Sequence, residues 1–290
     1  MRRWQELCVE IPPEAGDALS SWLVDQGAPG VIEEQAGDRL RLRAHFANGD
    51  GGVLLRAVQM FLDELEEFFP GAGAASVAIG VIDEEDWADG WKQSFPCMEI
   101  GRRLRVRPPW ASRGSTDRHD IEIMPAMAFG TGQHASTLGC LLAIEELYEA
   151  ESALSPVLDV GTGSGILAVA AARLGARSIV ALDTDPIAVA AAADNVRRNG
   201  VDRVVRLRPG SIDVLEGGFA LIVANLHSGL LGTMFGSFRE HAAARAWLVV
   251  SGLLDADRDG IRAAGLAAGW LPAAERSLDG WATLVFRRGD

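Results

Sequence analysis

The chain has 290 residues, of which 48% are hydrophobic, and its formal net charge is −13. This length and apolar content are sufficient for a large core and predict two domains rather than a disordered chain. The excess of acidic residues argues against direct binding to nucleic acid or to an anionic membrane surface, and it permits attraction to a basic partner.

The sequence carries no membrane, export or redox signal. No apolar run approaches the roughly 20 residues that a membrane-spanning helix needs, and the first residues contain no signal-peptide core. Three cysteines, Cys8, Cys97 and Cys140, are scattered without the spacing of a metal or redox site. We therefore expect a cytoplasmic protein with reduced cysteines and no metal.

Residues 1–82 predict a small α+β domain. Strands are predicted by "QELCVEI", "GVIEEQ", "DRLRLRAHF" and "ASVAIGVID", and helices by "PEAGDALSSWLVDQG" and "GGVLLRAVQMFLDELEEFF". The resulting order, βαββαβ, is that of a ferredoxin-like fold, which often serves for docking. Residues 1–85 hold sixteen acidic residues against six arginines, a net charge of −10. This acidic surface either promotes solubility or attracts a basic partner.

Residues 83–96, "DEEDWADGWKQSFP", predict an acidic linker that contains a short helix. Trp87 and Trp91 are four residues apart, which places both indoles on one side of a helix. We expect this linker to join the small domain to a larger one.

Residues 97–290 predict a Rossmann-like α/β domain. The first strands are "EIGRRLRVRPPW" and "HDIEIMP", followed by the helix "HASTLGCLLAIEELYEA". Five apolar strands then alternate with helices, which indicates a mostly parallel sheet covered on both faces: "PVLDVG", "SIVALD", "VVRLRPG", "FALIVANL" and "AWLVVSGLL". The strands "AERSLDG" and "WATLVFRR" complete seven strands as an antiparallel hairpin that turns at Asp279 and Gly280.

Two features predict an adenosine-type cofactor at the strand ends. "VLDVGTGSG" places Gly161, Gly163 and Gly165 on a turn into a helix, where free N–H groups and the helix dipole face a ligand. Asp183 follows Gly165 by 18 residues and ends the next strand, where a carboxylate can accept both ribose hydroxyls. Asp185 precedes a proline and is interpreted as a helix cap. A nicotinamide dinucleotide and S-adenosylmethionine (SAM) both remain possible.

Asn225, in "VANLHSG", ends the fourth strand of the alternation. Its side-chain oxygen and a nearby backbone carbonyl could accept the two hydrogens of an amine and direct the nitrogen lone pair at an electrophile. A dehydrogenase has no need of this arrangement, so Asn225 favours methyl transfer. The alternative is that Asn225 forms a turn or caps a helix.

Residues 125–137 read "PAMAFGTGQHAST", in which Gly130 and Gly132 flank Thr131. Taken alone, such a segment is typical of a surface turn. With a cofactor site nearby, the two glycines would instead let the backbone wrap around a ligand. His134 could act as a base, although a histidine at a helix start is more often a structural hydrogen-bonding residue.

The motifs together resemble the ribosomal protein L-eleven (L11) methyltransferases (PrmA) over nearly the whole chain. These motifs are "EDWADGWKQSF", "PPW", "AFGTGQHAST", "VLDVGTGSGILAVAAARLGA", "LDTDPIAV", "VANL" and "SGLL". The resemblance implies a class I SAM-dependent methyltransferase that trimethylates lysine and N-terminal amines of a basic ribosomal protein. It also implies a division into a substrate-recognition domain at 1–82, a linker helix at 83–96 and a methyltransferase domain at 97–290.

The resemblance also assigns site residues. Asn225 would hold the acceptor amine as the catalytic residue, and Phe129 would shield the cofactor within a loop that folds over its methionine end. The full set of expected SAM contacts is Thr137, Gly161, Asp183, Asn225, Phe129, Gly130, Thr131, Gly132, Gly163, Thr184 and Ser211.

Three other functions compete with this hypothesis. A methyltransferase of another protein lysine or of a small molecule would share the same cofactor residues. A nicotinamide-dependent oxidoreductase would bind NAD rather than SAM. A non-catalytic module would bind SAM without turnover.

Overall fold

The computed structural model describes residues 3–47, 51–83, 95–114, 116–125, 133–151 and 154–289. The chain divides into two compact units, residues 1–95 and 96–290. Most of the linker predicted at 83–96, including Trp87 and Trp91, lies outside the described residues, so its predicted helix stays a prediction.

The first unit has the ferredoxin-like fold that its sequence predicts. Its elements are β1 (Arg3–Ile11), α1 (Gly16–Asp25), β2 (Val31–Ala36), β3 (Arg39–Ala47), α2 (Gly51–Leu65) and β4 (Ser76–Asp83). The sheet order is β2-β3-β1-β4 and every neighbouring pair is antiparallel. Alternate residues of β1, namely Leu7, Val9 and Ile11, are fully buried, which fixes the face that packs on the helices.

Helix α2 ends four residues earlier than the sequence pattern predicts. The apolar spacing continues through Phe69, but the helix ends at Leu65. The Glu66 carboxylate accepts hydrogen bonds from the backbone N–H groups of Gly71 and Gly73, at 3.0 and 2.6 Å from Oε2. These bonds stabilise a turn in place of a further helical turn, and they lower the pKa of Glu66.

The second unit begins with a three-stranded sheet of β5 (Met98–Ile100), β6 (Leu104–Arg107) and β7 (His119–Glu122). The prediction of one strand through "EIGRRLRVRPPW" was wrong, because Gly101 adopts φ +53° and reverses the chain into a β5–β6 hairpin. The buried Glu145 carboxylate accepts the N–H groups of Arg102 and Arg103 and stabilises this turn.

A seven-stranded sheet forms the rest of the second unit. Its strands are β8 (Val157–Val160), β9 (Ile179–Asp183), β10 (Val205–Pro209), β11 (Phe219–Asn225), β12 (Ala242–Leu254), β13 (Trp270–Leu278) and β14 (Trp281–Arg288). The order is β10-β9-β8-β11-β12-β14-β13. Strands β8 to β12 pair in parallel, whereas β14 is antiparallel to both of its neighbours. The predicted fold class is therefore confirmed.

The hairpin turn at Asp279 and Gly280 is also as predicted. Both residues adopt positive φ, +47° and +81°, as a two-residue hairpin turn of this kind requires. Strand β12 begins at Ala242, four residues before the predicted "AWLVVSGLL", because Ala242 already pairs with Phe219.

Helices cover both faces of the large sheet: α3 (Ala135–Ala150), α4 (Ile166–Leu174), α5 (Pro186–Arg198), α6 (Ser228–His241) and α7 (Arg258–Ala267). Neighbouring residues of β11 point to opposite faces, so Val223 packs in the core with α3 and α4, and Ile222 packs in the core with α6 and α7. In the ranges given above, no helix combines the length and the apolar character needed to span a membrane.

Two buried asparagines, one near the end of α5 and one at its C-cap, connect the three-stranded sheet to the large sheet. The Asn195 side chain accepts from the Met124 N–H and donates to the Ser164 carbonyl, each at 2.9 Å. The Asn199 side chain accepts from the Glu122 N–H at 2.9 Å and donates to its carbonyl at 2.7 Å. The chain leaving β7 is thereby held beside the glycine turn that follows β8.

Candidate functional site

A cavity of about 540 Å³ lies at the carboxyl ends of the central parallel strands. This is the edge where open α/β sheets bind ligands, and the volume is within the range of cofactor sites. Residues that follow four strand ends line it, together with Thr137 from the start of α3: Gly161, Thr162, Gly163, Asp183, Thr184, Asp185, Gly210, Ser211 and Asn225. Its apolar wall includes Val160, Ile166, Ile212, Leu226, Leu230 and Met234.

The glycine turn after β8 has the conformation that its sequence predicts. Gly161, Gly163 and Gly165 adopt φ of +71°, +53° and +82°, which residues with a side chain rarely adopt. A Cβ on Gly161 would also lie 2.4 Å from Leu226 Cδ2. Glycine at this position therefore lets the turn pack against the residue that follows Asn225.

The expectation that this turn presents free N–H groups was wrong for three of its residues. The Thr162 N–H donates to the Leu182 carbonyl and the Gly165 N–H donates to the Thr162 carbonyl, each at 2.8 Å. The Gly163 N–H donates to Asp183 Oδ2 at 2.9 Å. These three donors are engaged within the protein and are not free to bind a ligand.

Asp183 ends β9, as predicted, and the backbone fixes its carboxylate. Oδ2 accepts from the Gly163 N–H, and Oδ1 accepts from the Asp185 N–H at 3.0 Å. A carboxylate has about four acceptor positions, so each oxygen can still accept one ligand hydroxyl. Asp185 Oδ1 accepts from the Ile187 N–H at 2.8 Å, which confirms that Asp185 caps α5.

Asn225 lies at the end of β11, and its amide group is oriented by Thr137. Asn225 Nδ2 donates to Thr137 Oγ1 at 3.2 Å, and Thr137 is 1% exposed at the start of α3. Asn225 Oδ1 is buried, and no donor among the residues that the structure describes reaches it. The alternative of a helix cap is wrong, because His227 caps α6 by accepting from the Leu230 N–H.

His134 has a structural environment. Its ring Nδ1 lies 2.6 Å from Ser136 Oγ and 3.3 Å from the Ser136 N–H, so His134 caps α3. Its ring also contacts the edge of Trp281, with ring centroids 4.4 Å apart. His134 is not among the residues that line the cavity. These contacts support the structural interpretation over a catalytic one.

Asp159, which the sequence reasoning did not single out, is buried behind the glycine turn. Its Oδ2 accepts from the Thr162 hydroxyl at 2.6 Å. The pKa of Asp159 is raised to about 6, mainly by burial and to a smaller extent by the nearby charge of Asp183, while hydrogen bonds from Thr162 and the Ala168 N–H act in the opposite direction. The signal that could have identified it was an acidic residue inside the otherwise apolar strand "VLDV".

The structure brings seven of the predicted site residues together around the cavity: Thr137, Gly161, Gly163, Asp183, Thr184, Ser211 and Asn225. The other four, Phe129, Gly130, Thr131 and Gly132, lie outside the described residues. The role of each as a cofactor contact stays a prediction.

The strand order and the site define the class of the protein. Numbered from β8, the order is 3-2-1-4-5-7-6 with an antiparallel seventh strand, whereas a dinucleotide-binding Rossmann sheet has the order 3-2-1-4-5-6. A sheet of this order, with a glycine turn after its first strand and an acid after its second, is the fold of class I methyltransferases.

Comparison with known proteins identifies the family. Residues 3–289 match the family described as "Ribosomal protein L11 methyltransferase (PrmA)". Proteins with that name from Exiguobacterium sibiricum and Geobacter sp. strain M21 are 33% and 36% identical, over 99% and 98% of this chain and the same shares of their own. The chain therefore belongs to this family, as the sequence motifs indicated.

A solved structure supports the same assignment. The crystal structure of a ribosomal protein L11 methylase from Lactobacillus delbrueckii subsp. bulgaricus superimposes with a TM-score of 0.62 and 29% sequence identity. The match covers 67% of this chain and 99% of that one.

We predict that the Asp159 carboxyl makes the stability of the protein depend on pH. Its pKa is about 6 when folded and about 3.9 when unfolded. The stability that its protonated form contributes is thus fully present below pH 4 and is lost as the pH rises through 6. Relative to Asp159→Asn, which stays neutral, the wild-type free energy of unfolding should fall by up to about 3 kcal/mol between pH 4 and pH 7.

Urea unfolding of both proteins across this pH range measures the difference. A free-energy difference that stays constant with pH would show that the Asp159 pKa is not raised by folding.

Proposed function

We propose that this protein transfers methyl groups from SAM to amines of ribosomal protein L11. The observation that carries the proposal is the side-chain oxygen of Asn225. This oxygen is buried beside the cavity, and no donor among the described residues reaches it. Residues 3–289 of the same chain match the L11 methyltransferase family. A buried acceptor with no partner is costly, so such a group in a functional site suggests a ligand that donates to it.

The residues around the cavity fit SAM. Asp183 can accept the ribose hydroxyls, the glycines of the turn admit a ligand close to the backbone, and Thr184 and Ser211 lie at the ends of the neighbouring strands. When bound, SAM supplies an electrophilic methyl group on a sulfonium. We propose that Thr137, Gly161, Gly163 and Asn225 complete its contacts, together with Phe129, Gly130, Thr131 and Gly132.

The same geometry argues against a nicotinamide dinucleotide. A pyrophosphate needs several free backbone N–H groups at the glycine turn. Here the N–H groups of Thr162, Gly163 and Gly165 are engaged by other protein groups. SAM contains no phosphate, so it does not require those donors.

In the proposed reaction, Asn225 orients the acceptor amine. Asn225 Nδ2 donates to Thr137, and this bond leaves the Asn225 Oδ1 atom as the end of the amide that can bind a ligand donor. The backbone carbonyl of Leu226 is the next acceptor along the chain, and no donor among the described residues bonds to it. Two neutral acceptors would bind the two hydrogens of an amine and leave its lone pair free to attack.

The proton of the amine must leave before transfer. Deprotonating a lysine of pKa about 10.4 costs roughly 4.6 kcal/mol at pH 7, whereas an α-amine of pKa about 7.8 costs about 1 kcal/mol. We propose that both types of amine are substrates and that the α-amine needs less help from the protein. Positioning then supplies most of the catalysis, because the leaving sulfur already carries its charge.

We also propose that residues 1–82 recognise the protein substrate. Ribosomal proteins are generally basic, and residues 1–82 hold thirteen acidic residues against six arginines, a net charge of −7. Opposite charges speed encounter and align partners before contact. The reaction would take place in the cytoplasm.

The direct test is incubation with isotopically labelled SAM and unmethylated L11, followed by mass spectrometry of the product. We expect labelled methyl groups on lysine and N-terminal amines. Label on a different protein or on a small molecule in a cell extract, with none on L11, would replace the proposed substrate. SAM binding without transfer to any acceptor would indicate a non-catalytic module.

Asp183→Ala should weaken SAM binding by about 1 to 3 kcal/mol, because acceptors for the ribose hydroxyls are lost. The variant also removes the partner of the Gly163 N–H, so the loss should lie toward the upper part of that range. Calorimetric titration measures the affinity, and Asp194→Ala, an exposed carboxylate on α5 away from the cavity lining, is the control. Equal affinities of Asp183→Ala and the control would remove Asp183 from the site.

Asn225→Ala should lower kcat far more than SAM affinity. The amide acts on the acceptor amine, and an interaction used mainly in the transition state affects turnover rather than cofactor binding. Steady-state kinetics with L11 and calorimetry with SAM separate the two effects. Losses of the same size in both would show that Asn225 contacts the cofactor only and does not orient the amine.

Deleting residues 1–82 should leave SAM affinity within about threefold and abolish most methylation of L11. Retained SAM binding would demonstrate that the second unit is folded. In the intact enzyme, added salt should lower kcat/KM for L11, because exposed charges are screened beyond about 8 to 10 Å at physiological salt. A truncated enzyme that methylates L11 at the full rate would show that the acidic unit has no role in recognition.

A further inference from the structure

We propose that Gly252 is a positioning residue for the acceptor amine, because it leaves the space in which the Asn225 side-chain oxygen and the Leu226 carbonyl oxygen lie. This inference rests on the proposed function, in which those two oxygens bind the amine. Gly252 belongs to the segment "SGLL" of β12, to which neither the fold nor the cavity assigns a role.

The backbone of Gly252 lies directly against both oxygens. A Cβ added at Gly252 would be 2.9 Å from Asn225 Oδ1, 2.5 Å from the Leu226 carbonyl oxygen and 2.8 Å from the Leu226 carbonyl carbon. Approaches shorter than 3.0 Å are essentially never observed for a real Cβ. A side chain at position 252 would therefore displace both acceptors or the strand that carries them.

Gly252 reaches this position through an irregularity of β12. The pairing of β12 with β14 shifts register between Val250 and Leu253, and Gly252 adopts φ +85°. Bulges of this kind bend a strand locally and occur often beside active sites, where they redirect residues. The bulge turns the Cα of Gly252 toward the neighbouring strand end, where Asn225 lies.

The residue before Gly252 is held on both sides, so the bulge cannot easily move away. Ser251 pairs with Asn225 across the strands, and its carbonyl accepts from the Leu226 N–H at 3.0 Å. The Ser251 hydroxyl donates to the Ala282 carbonyl at 2.8 Å and lies 2.9 Å from Thr283 Oγ1. Ser251 and Thr283 are both buried. A substitution at Gly252 would consequently shift the acceptors rather than the strand.

Thr137 restrains the other end of the same amide. Its hydroxyl accepts from Asn225 Nδ2, while Oδ1 lies against Gly252. A hydrogen bond to Thr137 therefore orients the nitrogen of the amide, and the missing side chain at Gly252 leaves room for its oxygen. Gly252 acts on the acceptor amine only through Asn225, and Thr137 does so in addition to its proposed contact with SAM.

The test compares Gly252→Ala with Gly280→Ala. Gly280 has nearly the same φ, +81°, but a Cβ there would have no atom within 4 Å, so this control carries the backbone strain without the steric clash. We expect Gly252→Ala to lower kcat for L11 about 10- to 100-fold, because small displacements of positioned groups have effects of this size. SAM affinity should stay within about threefold, and Gly280→Ala should keep the wild-type kcat.

The results separate the inference from the function on which it rests. A wild-type enzyme that transfers no methyl group to L11 overturns the proposed function and this inference with it. An active wild-type enzyme with equal kcat values for Gly252→Ala and Gly280→Ala overturns the inference alone. A Gly252→Ala variant that loses SAM affinity as much as kcat also overturns it, because the effect is then on the cofactor site.

A second pair of variants tests the same restraint if Gly252→Ala does not fold. Thr137→Val keeps the shape of the buried side chain but removes the acceptor for Asn225 Nδ2, and Thr137→Ser retains a hydroxyl. We expect Thr137→Val to lower kcat at least tenfold and by more than it lowers SAM affinity, and Thr137→Ser to restore most of kcat. Equal kcat values for the two variants would show that the orientation of the Asn225 amide does not govern turnover.

Discussion

The hydrogen bond from the Gly163 N–H to the Asp183 carboxylate joins the ends of the first two strands of the large sheet. It holds the glycine turn beside Asp183, so the turn and this acid form a single unit. The second oxygen of Asp183 accepts from the Asp185 N–H, which begins the turn into α5. The positions of β8, β9 and the start of α5 at the cavity all depend on this carboxylate.

Asp159 supports the same turn from the side of the core. Its bond with the Thr162 hydroxyl is buried, and burial raises its pKa toward 6. A carboxylate at this location reduces the stability of the folded protein at neutral pH. Its place behind the turn suggests that accurate geometry at the cavity outweighs that cost, which is a common exchange at functional sites.

The sequence predicted those features that depend on local pattern. The order of elements, the hairpin at Asp279 and Gly280, and the location of Asp183 and Asn225 at strand ends all follow from periodicity and from turn residues. Parallel strands end at one edge of a sheet, so the sequence alone predicts that residues far apart in the chain share one site.

Features that depend on tertiary contacts were not predictable in this way. The hydrogen bonds that engage the N–H groups of the glycine turn depend on the register between β8 and β9, which the sequence does not reveal. The end of α2 depends on Glu66, whose side chain competes with the helix for the backbone. The close approach of Gly252 to Asn225 and Leu226 arises from a register shift between β12 and β14. Such a shift depends on the pairing of two strands and cannot be predicted from either segment alone.

An amide at position 225 has a physical advantage over a carboxylate under the proposed function. A carboxylate beside the amine would stabilise its charged form and raise its pKa, and the lone pair would then be unavailable for attack. The oxygens of Asn225 and Leu226 accept the same hydrogen bonds without a net charge, so they favour the neutral amine. A neutral acceptor gains its selectivity from geometry alone, and this explains why the amide is restrained by both Thr137 and Gly252.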